Sequence, residues 1–175
     1  MVVTKEYVIP LPMSVEEYNV GQLWLDAEAR EKETNVQLIT NESCIYEDTE
    51  GVHTYKLTRN DARVPAFVRY LAPNGSLDVY EEVWNCYPKC KAVITNGYLK
   101  ERFHISMKIF YIPDDCGAVE NFYKIPNYDE VERIVIDIAN DPVSKNKPET
   151  DPSRFVSAKT ERGKLGTLAL LVLIN

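Results

Sequence analysis

An α+β fold is the class that the sequence predicts, with a long N-terminal helix and a largely antiparallel β-sheet. The helix is indicated by a capping box, Ser14-Val15-Glu16-Glu17, which opens an apolar pattern that runs to about Arg30. The sheet is indicated by several segments after Glu33 that are rich in β-branched and aromatic residues and alternate with period two. With 175 residues and 45% hydrophobic content, the chain is expected to form one domain.

Segments with strand character recur along the chain. The first covers residues 2–9, after which Pro10 and Pro12 force an extended exit. Six more strands are expected around residues 35–41, 52–59, 77–87, 89–97, 103–111 and 131–138. A short helix is expected over residues 64–71, with Pro65 in its first turn.

The N-terminal helix carries two apolar stripes and is therefore expected to be covered on two sides. One stripe contains Val15, Tyr18, Leu25 and Ala29 together with Gln22, and the other contains Val20, Leu23 and Ala27. Gln22 is the polar exception on its stripe. Either its amide reaches water at the stripe edge, or it is buried and requires a hydrogen-bond partner.

The strand predicted around residues 52–59 divides its side chains between two different faces. His53, Tyr55 and Leu57 share one face, and Thr54, Lys56 and Thr58 share the other. Such a polar face is ordinarily the one exposed to solvent.

Two cysteines, Cys86 and Cys90, lie four residues apart in a Tyr-Pro-containing stretch. Such a pair can be half of a metal site, one side of a disulfide, or two small side chains at a turn. Pro88 favours a tight connection between strands, because proline cannot donate a hydrogen bond within a central strand. Strand parity then places Cys90 with Ala92 on an inner face. The four cysteines show no CxxC spacing and the chain has two histidines, so free thiols are expected rather than a zinc site.

Charge and hydropathy argue against several functional classes. Twenty basic and 27 acidic residues give a formal charge of -7, which disfavours nucleic-acid binding. The N-terminus lacks the features of a secretory signal and no apolar run reaches the roughly 20 residues of a membrane-spanning helix, so we expect a cytoplasmic protein. Phosphate-binding glycine loops, nucleophile elbows and paired-histidine motifs are absent from the sequence, so we expect no enzyme and no cofactor.

Five long stretches of the chain resemble the phosphatidylinositol transfer protein family. They are KEYVIPLPMSVEEYNVGQLW (5–24), VPAFVRYLAPNGSL (64–77), WNCYPKCKAVITNGYLKERF (84–103), IDIAND (136–141) and DPSRFVSAKTERGKLG (151–166). The resemblance implies a helix-grip, START-like fold, in which a curved sheet and long helices enclose one phospholipid. It also implies a carrier of phosphatidylinositol or phosphatidylcholine that touches membranes transiently and holds the lipid as cargo.

The resemblance also implies which residues bind the lipid. Those expected at the inositol ring are Thr54, Lys56 and Asn85, and those expected near the phosphate are Gln22 and Cys90. A buried Lys56 would then depend on the lipid for its partners. A catalytic pocket, by analogy with other helix-grip proteins, would have only Lys56 and Cys90 as titratable candidates.

Ala92 and Ile109 depart from the family pattern, since the family places threonine hydroxyls near the phosphate at these positions. Two hydrogen bonds, worth roughly 0.5–1.5 kcal/mol each, are therefore expected to be missing, and head-group preference stays open. Ser157 lies beside Lys159, Arg162 and Lys164. This segment is either a solvated loop or a contact for anionic lipid, and the resemblance makes Ser157 a candidate for regulatory phosphorylation.

The resemblance predicts an incomplete transfer-protein domain over residues 1–166 and a divergent apolar tail over residues 167–175. Family members continue beyond this point with a further strand, a membrane-docking loop and lid helices. The seven consecutive apolar residues of the tail are expected to form either a buried strand or an exposed adhesive segment. The alternative function is therefore a truncated, non-transferring form that is unstable or acts by binding a partner.

Overall fold

The structure, a computed structural model, describes residues 3–11, 13–32, 35–61, 64–113, 120–137, 141, 156 and 170–174. Its elements follow in the order β1 (Lys5–Leu11), α1 (Val15–Lys32), β2 (Val36–Tyr46), β3 (Thr49–Arg59), α2 (Ala66–Leu71), β4 (Asp78–Cys86), β5 (Lys89–Asn96), β6 (Lys100–Ile112), β7 (Glu132–Val135) and β8 (Leu170–Ile174). A 3-10 turn at Tyr128–Glu130 precedes β7. The α+β class and the mainly antiparallel pairing are confirmed, whereas the START-like details stay a prediction.

The chain divides into two compact units. A terminal unit comprises Met1–Tyr18 and Phe110–Asn175, and a central unit comprises Asn19–Ile109. The division falls within α1 and within β6. The boundary predicted at residue 166 is a separate matter and stays a prediction.

An antiparallel meander forms the central unit. β2 pairs with β3, β3 with β4 and β4 with β5, each in antiparallel register. The hairpin between β2 and β3 is longer than predicted, since the two strands stay paired as far as Tyr46 and Thr49. Glu47 and Asp48 connect them, and both adopt positive φ, at 46° and 63°. Positive φ at both central residues is the type I′ geometry that matches the twist of paired strands. The sequence lacks the usual Asn-Gly signal at this turn, so its position was not predicted.

A β-bulge interrupts β2 and changes which of its side chains share a face. Leu38 pairs with Lys56, and the next paired residue, Thr40, lies opposite Tyr55, so Ile39 is the extra residue. The bulge therefore places Leu38 and Asn41 on the same face, although they are three positions apart.

Gly51 lies where β2, β3 and β4 approach closely. A Cβ atom built at this position would overlap the Asn85 carbonyl oxygen and lie 2.6 Å from Cys86 Sγ. Only a residue without a side chain fits there, because the nearest obstacle is backbone. The sulfurs of Cys44 and Cys86 lie 3.5 Å apart beside it.

The terminal unit is organised around β1. β1 pairs in parallel with β7 and antiparallel with β8, so Leu170–Ile174 of the predicted tail form a strand. The burial expected of such a strand stays a prediction, because these side chains lie outside those that the structure describes. Val8 is buried against Ile112, Phe122 and Tyr123.

Glu6, also in the terminal unit, is fully buried and is the cross-strand partner of Arg133. Its Oε2 lies 3.4 Å from Arg133 Nε and accepts a hydrogen bond of 2.5 Å from the Tyr128 hydroxyl. Burial of the phenol, followed by this contact with Glu6, raises the pKa of Tyr128. A buried carboxylate is thus compensated by a cation and a hydroxyl.

The expectation that α1 is covered along both apolar stripes is wrong. Val20, Leu23 and Leu25 are each more than half exposed, and only Val15 is buried among the stripe residues whose side chains the structure describes. An apolar stripe shows which side of a helix can be buried, but burial also requires a neighbouring element against it. The helix begins as predicted, since Ser14 Oγ accepts a 3.1 Å hydrogen bond from the backbone N–H of Glu17.

Candidate functional site

A cavity of about 590 Å³ lies within the central unit. Its lining includes all five residues for which a lipid-binding role was predicted: Gln22, Thr54, Lys56, Asn85 and Cys90. Ala92 and Ile109, the two departures from the family pattern, line it as well. The cavity thus brings together side chains from one helix and five strands, which span almost ninety positions of sequence.

Strand register explains why these side chains converge. Thr54 and Lys56 lie on the same face of β3, and their cross-strand partners in β4 are Val83 and Glu81. Asn85 follows on that face of β4 and pairs with Cys90 of β5. This polar face, which alternation alone would leave to solvent and which the family resemblance assigned to lipid, lines the cavity. Alternation fixes which residues share a face but not what covers that face.

Lys56 is already paired without any lipid. Its Nζ lies 3.1 Å from Glu81 Oε2, and the two side chains are 31% and 35% exposed. The expectation that Lys56 depends on the lipid for partners is therefore wrong, because the directly opposite residue of β4 supplies a carboxylate. The pair leaves a half-buried donor and a half-buried acceptor at the cavity wall.

Asn41 is a second polar residue that the sequence analysis did not identify. Its Oδ1 accepts a 3.1 Å hydrogen bond from Thr54 Oγ1, and it lines the cavity. The bulge at Ile39 places it there, since unbroken alternation from Leu38 would have put Thr40 on that face instead. Glu81 was within reach of sequence reasoning, because parity with Asn85 puts both on one face of β4.

Asn85 presents a polar atom without a partner. Its Oδ1 is buried and accepts no hydrogen bond from the described part of the chain. A buried acceptor left in this state costs about 1–3 kcal/mol, so a ligand that donates a hydrogen bond here would recover that energy.

Apolar side chains form the rest of the lining. Cys90 and Ala92 are each 5% exposed, and Val36, Leu38, Val52, Val83 and Met107 line the same cavity. The site therefore combines a polar cluster with a larger apolar wall, which is typical of pockets that bind amphiphilic small molecules.

The cysteines form no metal site in the part of the chain that is described. Cys44, Cys86 and Cys90 are free thiols, and the neighbour of Cys86 is Cys44 rather than Cys90. Burial, followed by the contact with Cys86, raises the pKa of Cys44 to about 11. Among the described residues, groups of three or more potential metal ligands are also absent. Cys116 and Ser157 lie outside the described residues.

Comparison with known proteins identifies the class to which this fold and cavity belong. The family model for phosphatidylinositol transfer protein matches residues 2–168. The human phosphatidylinositol transfer protein beta isoform is 41% identical over 95% of this chain and 64% of its own length. Phosphatidylinositol transfer proteins 5 and 1 of Dictyostelium discoideum are 39% and 36% identical over 94% and 92% of this chain, and over 60% and 64% of their own lengths.

The chain belongs to the phosphatidylinositol transfer protein family. By its name this is a family of lipid transfer proteins rather than of enzymes, in agreement with the expectation drawn from the sequence. The chain spans 64% of the length of the human relative. Among the helices that the structure describes, none is long and apolar enough to cross a membrane.

Proposed function

We propose that this chain is a phospholipid carrier that binds one phosphatidylinositol or phosphatidylcholine molecule and transfers it between membranes in the cytoplasm. The supporting observation is that all five residues assigned to lipid binding by family resemblance line one cavity. No cofactor takes part in this proposal, because the lipid is the cargo.

The polar cluster matches the chemistry of an inositol ring. Each ring hydroxyl both donates and accepts hydrogen bonds, and the cavity offers both kinds of partner. Lys56 supplies donors, while Glu81, Asn85 and Asn41 supply acceptors. The Thr54 hydroxyl donates its hydrogen to Asn41 and can accept a further hydrogen bond. A choline group carries no hydroxyl and would leave the buried Asn85 oxygen without a donor.

The volume of the cavity indicates which part of the lipid it holds. At about 30 Å³ for each water-sized group, 590 Å³ accommodates roughly 20 non-hydrogen atoms. A glycerophosphoinositol head group has about that number, whereas two acyl chains need considerably more space. We therefore place the head group here, with the glycerol toward the apolar wall.

The acyl chains set the energetic requirement for transfer. At about 0.8 kcal/mol for each buried CH₂ group, a chain of roughly 16 carbons needs about 12 kcal/mol of shielding to leave a membrane. A protein that leaves the acyl chains in water would bind head groups weakly and would not transfer lipid. This is the non-transferring form proposed as the alternative.

A vesicle assay separates the two functions. Labelled phosphatidylinositol and phosphatidylcholine are followed from donor to acceptor vesicles, and the lipid that remains on the re-isolated protein is identified by mass spectrometry. The carrier function predicts transfer above the rate without protein and one lipid per chain. Absence of both transfer and bound lipid, with aggregation that rises with concentration, would support the non-transferring alternative instead.

A further inference from the structure

Two thiols meet on the side of the sheet that faces away from the cavity. Cys86 follows Asn85 along β4, and alternation points its side chain away from the cavity that Asn85 lines. Cys44 belongs to β2, so β3 lies between the two strands that carry these cysteines. Their sulfurs are nevertheless 3.5 Å apart and share a hydrogen bond.

Gly51 of β3 is what allows thiols on two strands that are not direct neighbours to meet. It is the cross-strand partner of Cys44. A Cβ atom built on it would lie 2.6 Å from Cys86 Sγ, so any side chain at this position would compete with that sulfur for space. Because glycine has no side chain, β3 contributes only backbone here and leaves room for the two sulfurs.

The two thiols differ in their access to solvent. Cys86 is fully buried, whereas Cys44 is half-buried. A small reagent that arrives from solvent therefore meets Cys44 first, with Cys86 directly behind it. To join, the sulfurs have to approach by roughly 1.5 Å, since the S–S bond of a disulfide is about 2.05 Å long. Rotation of both side chains into the space beside Gly51 shortens the distance in that direction.

We propose that Cys44 and Cys86 are a redox-active dithiol, which a hydroperoxide converts into a disulfide that joins β2 to β4. In the first step the Cys44 thiolate attacks a peroxide oxygen, the O–O bond breaks, and Cys44 becomes a sulfenic acid while the released hydroxide takes up a proton. The Cys86 sulfur then attacks the Cys44 sulfur, the S–O bond breaks, and the hydroxyl leaves as water with the Cys86 proton. Two thiols thus lose two electrons, and one hydrogen peroxide becomes two waters.

The surroundings of Cys44 make the first step slow near neutral pH. Burial, followed by the contact with Cys86, raises the pKa of Cys44 to about 11, and Glu42 on the same strand acts in the same direction. The thiolate is the reactive form, and its fraction rises about tenfold for each pH unit below the pKa. The oxidation rate should therefore still increase above pH 9, where a thiol with an ordinary pKa of about 8.5 is already mostly ionised.

The disulfide would also change the stability of the chain. It would close a loop between residues 42 positions apart, which restricts the unfolded chain more than the folded one. The oxidised chain should therefore unfold at a higher urea concentration than the reduced chain. This expectation does not depend on lipid binding.

The test identifies which cysteines become linked. The folded chain is treated with hydrogen peroxide, the remaining thiols are alkylated, and tryptic peptides are analysed by mass spectrometry without reduction. Trypsin cleaves after Lys89, so Cys86 and Cys90 fall in different peptides. We expect the main cross-link to join Cys44 to Cys86, to form in the same yield when the protein is diluted, and to disappear with dithiothreitol.

Matched variants relate the cross-link to the stability change. Cys44→Ala should abolish both the cross-link and the shift in urea midpoint. Cys90→Ala removes another buried thiol of the same sheet, and both effects should persist in it. A sample oxidised in urea gives the yield that chance pairing produces in the unfolded chain, and the folded chain should exceed it several-fold.

Three results would overturn the proposal. The first is sulfinic acid at Cys44 while Cys86 remains a thiol, and the second is a main cross-link that involves Cys90. The third is a yield of the Cys44–Cys86 bond that is no higher in the folded chain than in urea. Lipid transfer is not a readout here, so failure of the proposed carrier function would leave this inference standing.

Discussion

Thr54 and Lys56 share a strand face but interact with different partners. The Thr54 hydroxyl donates a hydrogen bond to Asn41, and the Lys56 ammonium pairs with Glu81. Thr54→Val should weaken phosphatidylinositol binding about 2- to 10-fold, and Lys56→Gln more strongly, because hydrogen bonds to charged groups contribute about 1.5–3 kcal/mol. Phosphatidylcholine binding should be largely spared. Competition between the two labelled lipids measures the difference.

Thr58→Val is the matched control, because Thr58 belongs to the same strand but does not line the cavity. Its lipid preference should not change. An equal loss of both lipids in Thr54→Val and Lys56→Gln would contradict their assignment to the inositol ring.

Cys44 makes stability depend on alkaline pH. Burial raises its pKa to about 11, whereas an unfolded thiol titrates near about 8.5. The folded state therefore keeps the proton that the unfolded state loses, so the stabilising contribution is complete below about pH 8.5 and disappears as pH rises towards 11. Urea unfolding at several alkaline pH values should show a steeper fall in stability for the unsubstituted chain than for Cys44→Ala. Parallel curves would contradict the shift.

Individual site residues were predictable only where their position follows from local pattern or resemblance. Thr54 and Lys56 were assigned together because alternation puts them on one face and the family resemblance gives that face a role. The partnership of Lys56 with Glu81 was not predictable, because cross-strand register depends on the length of the connection between β3 and β4.

At the scale of elements, Gly51 is the position of β3 where the neighbouring strand β4 leaves no space for a side chain. Gly51→Ala should lower the free energy of unfolding by about 1–3 kcal/mol, because the added methyl group collides with backbone atoms of β4. Gly21→Ala is the matched control, since nothing lies within 4 Å of a Cβ at that helical position.

The control should be neutral or stabilise the chain by up to about 1 kcal/mol, as alanine favours helices over glycine. Urea unfolding curves measure both variants. Equal stability of Gly51→Ala and the unsubstituted chain would mean that β3 and β4 do not approach as closely at this point.

Element existence was predicted well, and element detail less so. All seven predicted strands and both predicted helices are present, because hydrophobic period and capping are local properties. The extended β2–β3 hairpin and the bulge at Ile39 were missed, since Glu47 and Ile39 carry no residue-type signal for unusual backbone geometry and Asp48 alone is a weak one.

For the molecule as a whole, a net charge of -7 means that attraction to anionic lipid is a poor explanation of the membrane contact that the proposed carrier function requires. The short helix α2 offers an apolar alternative, since Phe67, Tyr70 and Leu71 are 69%, 89% and 74% exposed. Phe67→Ala combined with Leu71→Ala should lower co-sedimentation with vesicles and the transfer rate several-fold, because less apolar surface enters the interface.

Lipid already bound to the protein should be unaffected by that double variant. Ile45→Ala removes a comparably exposed side chain from β2 and serves as its control, for which we expect unchanged sedimentation. Raising the salt concentration should not release the unsubstituted chain from vesicles, and salt-induced release would favour an electrostatic contact instead.

The bulge in β2 also bears on how this strand tolerates changes of length. Loss of the codon for Ile39 would remove the unpaired residue and leave Leu38 and Asn41 opposite the same partners, so such a deletion should be nearly silent for the cavity. Loss of the codon for Tyr55 in the regularly paired β3 would put Thr54 and Lys56 on opposite faces. A one-residue deletion can thus be inherited in β2 without loss of the cavity lining, whereas the same change in β3 destroys it.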